Sequence, residues 1–94
     1  MAKLKANANK LVECGEDIIS LCDKYNEQIE ILFNKLENVT NRCWTGRAAN
    51  TYVQIVKKDK STFTKFGNDL KDYGKLVRST GNNVNTMIMK WKDR

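Results

Sequence analysis

Apolar side chains recur along this chain at alternating intervals of four and three residues. In the first half the series runs Leu4, Ala8, Leu11, Gly15, Ile18, Cys22, Tyr25, Ile29, Leu32, Leu36, Val39, Cys43, with Gly15 as its one break. In the second half it runs Ala49, Tyr52, Val56, Asp59, Phe63, Phe66, Leu70, Tyr73, Val77, Thr80, Val84, Met87, Trp91, broken at Asp59 and Thr80. Steps averaging 3.5 residues keep one helical face turned towards a supercoiled partner, whereas strands require a period of two. The pattern therefore predicts an all-α chain of two long helices, about 4–40 and about 48–90, each ~55 to 65 Å long at ~1.5 Å per residue.

Between them, over about 41–47, the chain is expected to reverse. Thr40, Asn41, Thr45 and Gly46 are poor helix formers, and Gly46 can take a positive φ without steric cost. Thr45 or Asn41 could cap the unpaired backbone groups at the helix ends. The expected fold is one domain over residues 1–94, an antiparallel two-helix hairpin with a heptad-like seam. Gly67, Gly74 and Gly81 recur every seven residues, one position after Phe66, Tyr73 and Thr80, so they are expected to flank the seam. Each costs a helix interior roughly 1 kcal/mol relative to alanine, which suits close approach by another helix; the other reading is fraying near 80–85. A second apolar set lies beside the stripe: Val12, Ile19, Ile31 and Phe33, then Val53, Ile55, Leu76, Ile88 and Met89. One seam cannot cover both sets, and layers need covered apolar faces, so dimerisation into a four-helix bundle is expected. Val12, Ile19, Ile31, Phe33, Ile55, Leu76 and Ile88 are its candidate interaction residues.

Composition narrows the function. The chain has 94 residues, 40% apolar and 30% charged, with no proline, a balance that suits a patterned helical chain. Its longest apolar runs, Ile31 to Phe33 and Met87 to Met89, fall far short of the ~18 residues of a membrane span. Residues 1–10 lack the apolar segment of a secretory signal peptide. Net charge is +6 and unevenly divided: residues 1–42 carry six Lys/Arg against seven Asp/Glu, and residues 43–94 carry eleven against four. An acidic helix beside a basic one accounts for this division. The competing reading is a basic module for nucleic acid or an anionic membrane surface, centred on Lys57, Lys58, Lys60 and Lys65; with the aromatics assigned to the seam, few are left to stack on bases.

Catalysis is argued against by inventory. There is no histidine, no Gly-rich phosphate loop and no Cys/His pair, so no catalytic, cofactor or metal residue is assigned. Cys14, Cys22 and Cys43 are an odd number and read as buried, reduced thiols of a protein folded in the cytoplasm. Asp59, at a seam position, is expected to pair across the hairpin with a cation and fix its register.

At the expected turn stands Trp44-Thr45-Gly46. A Trp-X-Gly tripeptide between two long amphipathic helices, in a chain of about this length, resembles the WXG family of type VII secretion proteins, the early secreted antigen-like (Esx-like) group. The resemblance covers essentially the whole chain. It implies a four-helix-bundle homodimer or heterodimer that leaves the cytoplasm folded, without a cleaved signal peptide, through a membrane ATPase-driven machine. Trp44 would then cap the bundle end or serve recognition. The family's export signal, Tyr followed four positions on by Asp or Glu, is not matched: Tyr73 is followed by Val77 and Tyr52 by Val56. Phe33 with Glu37 has the spacing of an aromatic variant but sits in helix 1. The implied partners are a second copy, a homologous hairpin carrying the signal, or the helical N-terminal domain of an LXG-type toxin to which this chain is a chaperone-like companion; no nucleic acid is expected. A free-standing coiled-coil segment would share the fold without needing Trp44.

Overall fold

The computed structural model describes residues 2–43 and 45–92, without the side chains of Cys43 and Lys92. Two helices account for nearly all of it: α1, Ala2–Cys43, and α2, Arg47–Lys92. No strand occurs among the described residues. Both helices run a little further than the sequence pattern predicts. Asn41 lies inside α1 instead of capping it, and α2 is unbroken through 80–85. Several Thr and Ser side chains within α2 return their hydroxyls to the preceding turn, as where Thr80 Oγ1 donates to the Leu76 carbonyl at 3.0 Å and Thr86 Oγ1 to the Asn82 carbonyl at 3.0 Å.

The chain reverses between the end of α1 at Cys43 and the start of α2 at Arg47. Gly46 has φ +105°, a conformation that costs residues with a Cβ roughly 1–2 kcal/mol. Its carbonyl accepts the first bond of α2, from the Asn50 amide at 3.1 Å, so Gly46 itself holds the N-cap position expected of Thr45. Trp44 lies outside the described residues.

The two helices pack antiparallel into a rod of 73 × 15 × 14 Å with a radius of gyration of 21.0 Å. A compact domain of about 100 residues would have about 13 Å. Among the described residues there is no third layer, and each helix has only the other to lean on.

The contact line between them is not the bulky stripe. Gly67, Gly74 and Gly81 are buried in it instead of flanking it, together with Gly15, Ala8 and Cys22. A Cβ built on Gly15 would lie 2.6 Å from the Gly74 carbonyl oxygen and 2.5 Å from the Arg78 amide nitrogen. One on Gly81 would lie 2.6 Å from the Ala8 carbonyl oxygen, and one on Gly67 would collide with Asn26 Oδ1. At Gly15 and Gly81 the approach is to backbone, whereas at Gly67 the space is taken by the Asn26 and Tyr25 side chains. Ala8, Gly15 and Cys22 are seven apart, as are Gly67, Gly74 and Gly81, so small residues from both helices form one line that winds with the supercoil. Larger side chains lie against the glycines from beside the line, as Val12, Ile18 and Tyr25 do, and Phe33, Val56 and Ile88 are buried between the helices.

Gly74→Ala is expected to lower stability by about 1–3 kcal/mol, even though alanine gains roughly 1 kcal/mol in helix propensity; urea unfolding at fixed protein concentration measures it. Gly46→Ala meets no atom within 4 Å and should cost about 1–2 kcal/mol through its positive φ alone.

Candidate interaction face

The small-residue line divides the hairpin surface into two sides of opposite character. On α1 the residues just to one side of it are Leu4, Leu11, Ile18, Tyr25, Leu32 and Val39; on the other side come Asn9, Glu16, Asp23, Glu30 and Glu37, again every seven residues. On α2 the corresponding positions are Val56, Phe63, Leu70, Val77, Val84 and Trp91 on one side, with Lys57, Lys71 and Arg78 on the other. Because the helices are antiparallel, the two apolar series fall on the same side of the rod and the two charged series on the opposite side.

The charged side is closed by bonds between the helices. Asp23 Oδ1 meets Lys71 Nζ at 2.7 Å, Glu30 Oε1 meets Lys60 Nζ at 2.8 Å, and Glu37 Oε1 meets Lys57 Nζ at 3.8 Å. Two amide pairs extend the ladder: Asn26 Nδ2 donates to Asn68 Oδ1 at 3.1 Å, and Asn85 Nδ2 to Asn9 Oδ1 at 3.0 Å. Each surface ion pair contributes little, ~0–1 kcal/mol, but together they favour one direction and one register of packing. Hydrogen bonding from Lys60 outweighs an opposing desolvation effect and, with the charge of Lys60 and a hydrogen bond from Asn34, holds the Glu30 carboxyl below its usual range. The acidic-beside-basic reading of the charge division is thus realised in direct pairs. Asp59 is exposed and off the contact line; the next residue, Lys60, is half-buried and bridges the helices, as Lys71 does.

The apolar side is open. Leu4, Leu11, Leu32, Leu36 and Val39 of α1, and Tyr52, Phe63, Phe66, Leu70, Tyr73, Met87 and Trp91 of α2, all stand exposed, Phe66 at 56% and Tyr73 at 59%. Neighbours hold some of them in place. The Tyr25 and Phe66 rings meet edge-on at 6.2 Å, the Phe33 and Phe63 rings lie 5.9 Å apart, and Tyr25 Oη donates to the Phe63 carbonyl at 3.2 Å. The bulky stripe read from the sequence is therefore largely this open face. That also corrects the place given to the aromatics, which are not hidden in the seam; they lie across the rod from Lys57 and Lys71.

The candidate interaction residues divide between the two surfaces. Phe33 and Ile88 are buried between the helices and Val12 and Ile19 are half-buried, with Val12 Cγ2 2.7 Å from where a Gly81 Cβ would stand. Ile31, Ile55 and Leu76 are exposed, Leu76 at 62%, on the outer edges of the helices. Thr45 and Gly46 are exposed at the rod's tip. Cys22 is buried, but Cys14 is exposed and adjoins the apolar face near Leu11 and Ile18, so the expectation of buried thiols fails for it. Sequence reasoning missed the small-residue line; the signal for it was the shared spacing of Ala8, Gly15 and Cys22 with the three glycines of α2.

Because Glu30 is ionised more readily folded than unfolded, its pairing supports the fold above the ordinary carboxylate pKa of 4.5 and is lost as pH falls through its lowered folded value. The urea midpoint should fall on acidification below pH 4.5, and Glu30→Gln should flatten that decline. Among the described residues no helix is long and apolar enough to cross a membrane. Comparison with family models, curated proteins and solved structures returns no match, so the use of this face is argued from its own chemistry.

Proposed function

We propose that this chain is a non-enzymatic pairing protein of a type VII secretion system, which shelters its apolar face against another helical hairpin and travels, or escorts a partner, through the export route. The observation that carries the reading is the open face: large side chains of both helices aligned on one side of a rod whose other side is closed by ion pairs. Contiguous exposed apolar surface of this extent marks a protein-binding site, and a second hairpin laid on it completes a four-helix bundle. The tripeptide Trp44-Thr45-Gly46 in the sequence between the two helices supports the WXG-like assignment. The chain lacks a Tyr-xxx-Asp/Glu signal, so export draws on a partner that supplies one. An LXG-type effector with a helical N-terminal domain is one such partner, and contact with the secretion ATPase is then indirect. Synthesis is in the cytoplasm and secretion needs no cleaved signal peptide.

The nucleic-acid or membrane reading loses ground because Lys57, Lys60 and Lys65 each stand within ion-pair distance of a carboxylate.

Leu70→Asp on the open face should leave far-ultraviolet circular dichroism helical while weakening association at least tenfold by light scattering, for the chain alone or mixed with an effector's N-terminal domain. In a strain carrying the secretion machine, Trp44→Ala should leave the chain folded and abolish secretion of the chain or its partner; unchanged export would count against the assignment.

A further inference from the structure

We infer that the end of the rod far from the turn docks on an anionic membrane surface, through lysines and a few exposed apolar side chains. The pairing of the open face is not needed for it. Net charge is concentrated at that end. Residues 13–79 hold eleven Lys/Arg against ten Asp/Glu, whereas residues 2–12 and 80–92 hold Lys3, Lys5, Lys10, Lys90 and Lys92 and no acid; Asp93 and Arg94 cancel. Five of the chain's six net positive charges therefore belong to the start of α1 and the close of α2. The Asn9–Asn85 bond shows that these segments lie side by side. Nothing in the fold answers their charge. The ion pairs of the described residues all fall between Asp23 and Lys71, while Lys3, Lys5, Lys10 and Lys90 are exposed and have no ion pair among the described residues. Helix stability does not ask for them either. The first turn of α1 has no acid, and Lys3 and Lys5 stand where free backbone amides already carry partial positive charge.

The apolar side chains at this end suit a lipid interface. Leu4, Met87 and Trp91 stand exposed towards the open face; Met89, at 67% more exposed than any other large apolar side chain described, stands on the ladder side. There it lines one hollow with Lys5 and the Asn9–Asn85 pair. Lysines and hydrocarbon thus surround an end only 15 × 14 Å across, and a second hairpin laid on the open face leaves Lys5 and Met89 uncovered. Trp and Lys each place an apolar body or stem against hydrocarbon while the polar tip stays among headgroups. Clustered lysines are drawn to an anionic leaflet over about a Debye length, ~10 Å. Nucleic acid would favour a stripe of cations along the rod, but there Lys57, Lys60 and Lys65 are met by carboxylates. Trp91 is also the one aromatic of residues 2–12 and 80–92, which leaves little for bases to stack on. The contact is peripheral and crosses nothing.

The chain is sedimented with vesicles of phosphatidylcholine alone and with vesicles in which roughly a third of the lipid is phosphatidylserine. Binding is expected to the anionic vesicles only, and to weaken as salt is raised. Lys3→Gln, Lys5→Gln and Lys90→Gln together should lower the partition coefficient about tenfold. Lys58→Gln, Lys65→Gln and Lys75→Gln remove the same charge from the length of the rod and should leave it within about twofold. In a Trp44→Phe chain, brominated acyl chains in the anionic vesicles should quench Trp91; the sedimentation series stands without this variant should it impair folding. Equal effects of the two triple variants would reduce the attraction to net charge and overturn the docking end, as would equal binding to neutral vesicles. Binding without quenching would overturn the apolar part of the contact. Tighter binding to a DNA duplex than to anionic vesicles at the same salt would overturn lipid as the occupant. Association of the Lys3→Gln, Lys5→Gln, Lys90→Gln chain with helical partners, read by light scattering, should be unchanged, so the pairing function stands or falls apart from these results.

Discussion

The approach of two backbones to within glycine distance governs everything else in this molecule. Where Gly15 passes Gly74 and Gly81 passes Ala8, there is no room for a Cβ, so no bulky side chain can occupy the line of contact. Large residues are displaced to its sides. They could have been distributed evenly, but the chain places them on one side and acids and bases on the other. The result is a rod with a bonded side and an open side, and the open side is a consequence of how tightly the other contact is made.

The charged side gives this arrangement its direction. Acids every seven residues on α1 meet bases on α2, with Asn26–Asn68 between two of these levels and Asn9–Asn85 beyond them towards the end far from the turn. A one-residue slip would displace several of these partners together and press a side chain into a glycine gap. Register is thus held by steric exclusion along the centre and by polar partners beside it, although none of the individual bonds is strong.

Much of this was legible in the residues. The steps of three and four foretold two helices, and Gly46 foretold the turn, because bulk at helical spacing and a residue free to take positive φ are direct signals. The contact line was read one residue out of phase on α2 because hydrophobic periodicity registers size and polarity, and glycine has neither. Phe33 and Ile88 looked like surplus beside the stripe, yet they face the other helix where the small residues give out. Lys60 instead of Asp59 bridges the helices for the same one-residue reason. Trp44, the residue on which the family resemblance turns, lies outside the described structure, so its part in recognition stays with the sequence.

A contact line of glycine, alanine and cysteine brings backbones close but removes little hydrocarbon from water, and Ala8, Cys22, Phe33, Ala49, Val56 and Ile88 make a thin interior for a chain of 94 residues. Most of the free energy available from dehydration therefore resides on the outer face, to be released at encounter with a companion. For such a polypeptide, folding and assembly approach a single event: thermal tolerance becomes a function of dose, and molecules left over from an unequal synthesis of partners are the ones that housekeeping proteases meet first.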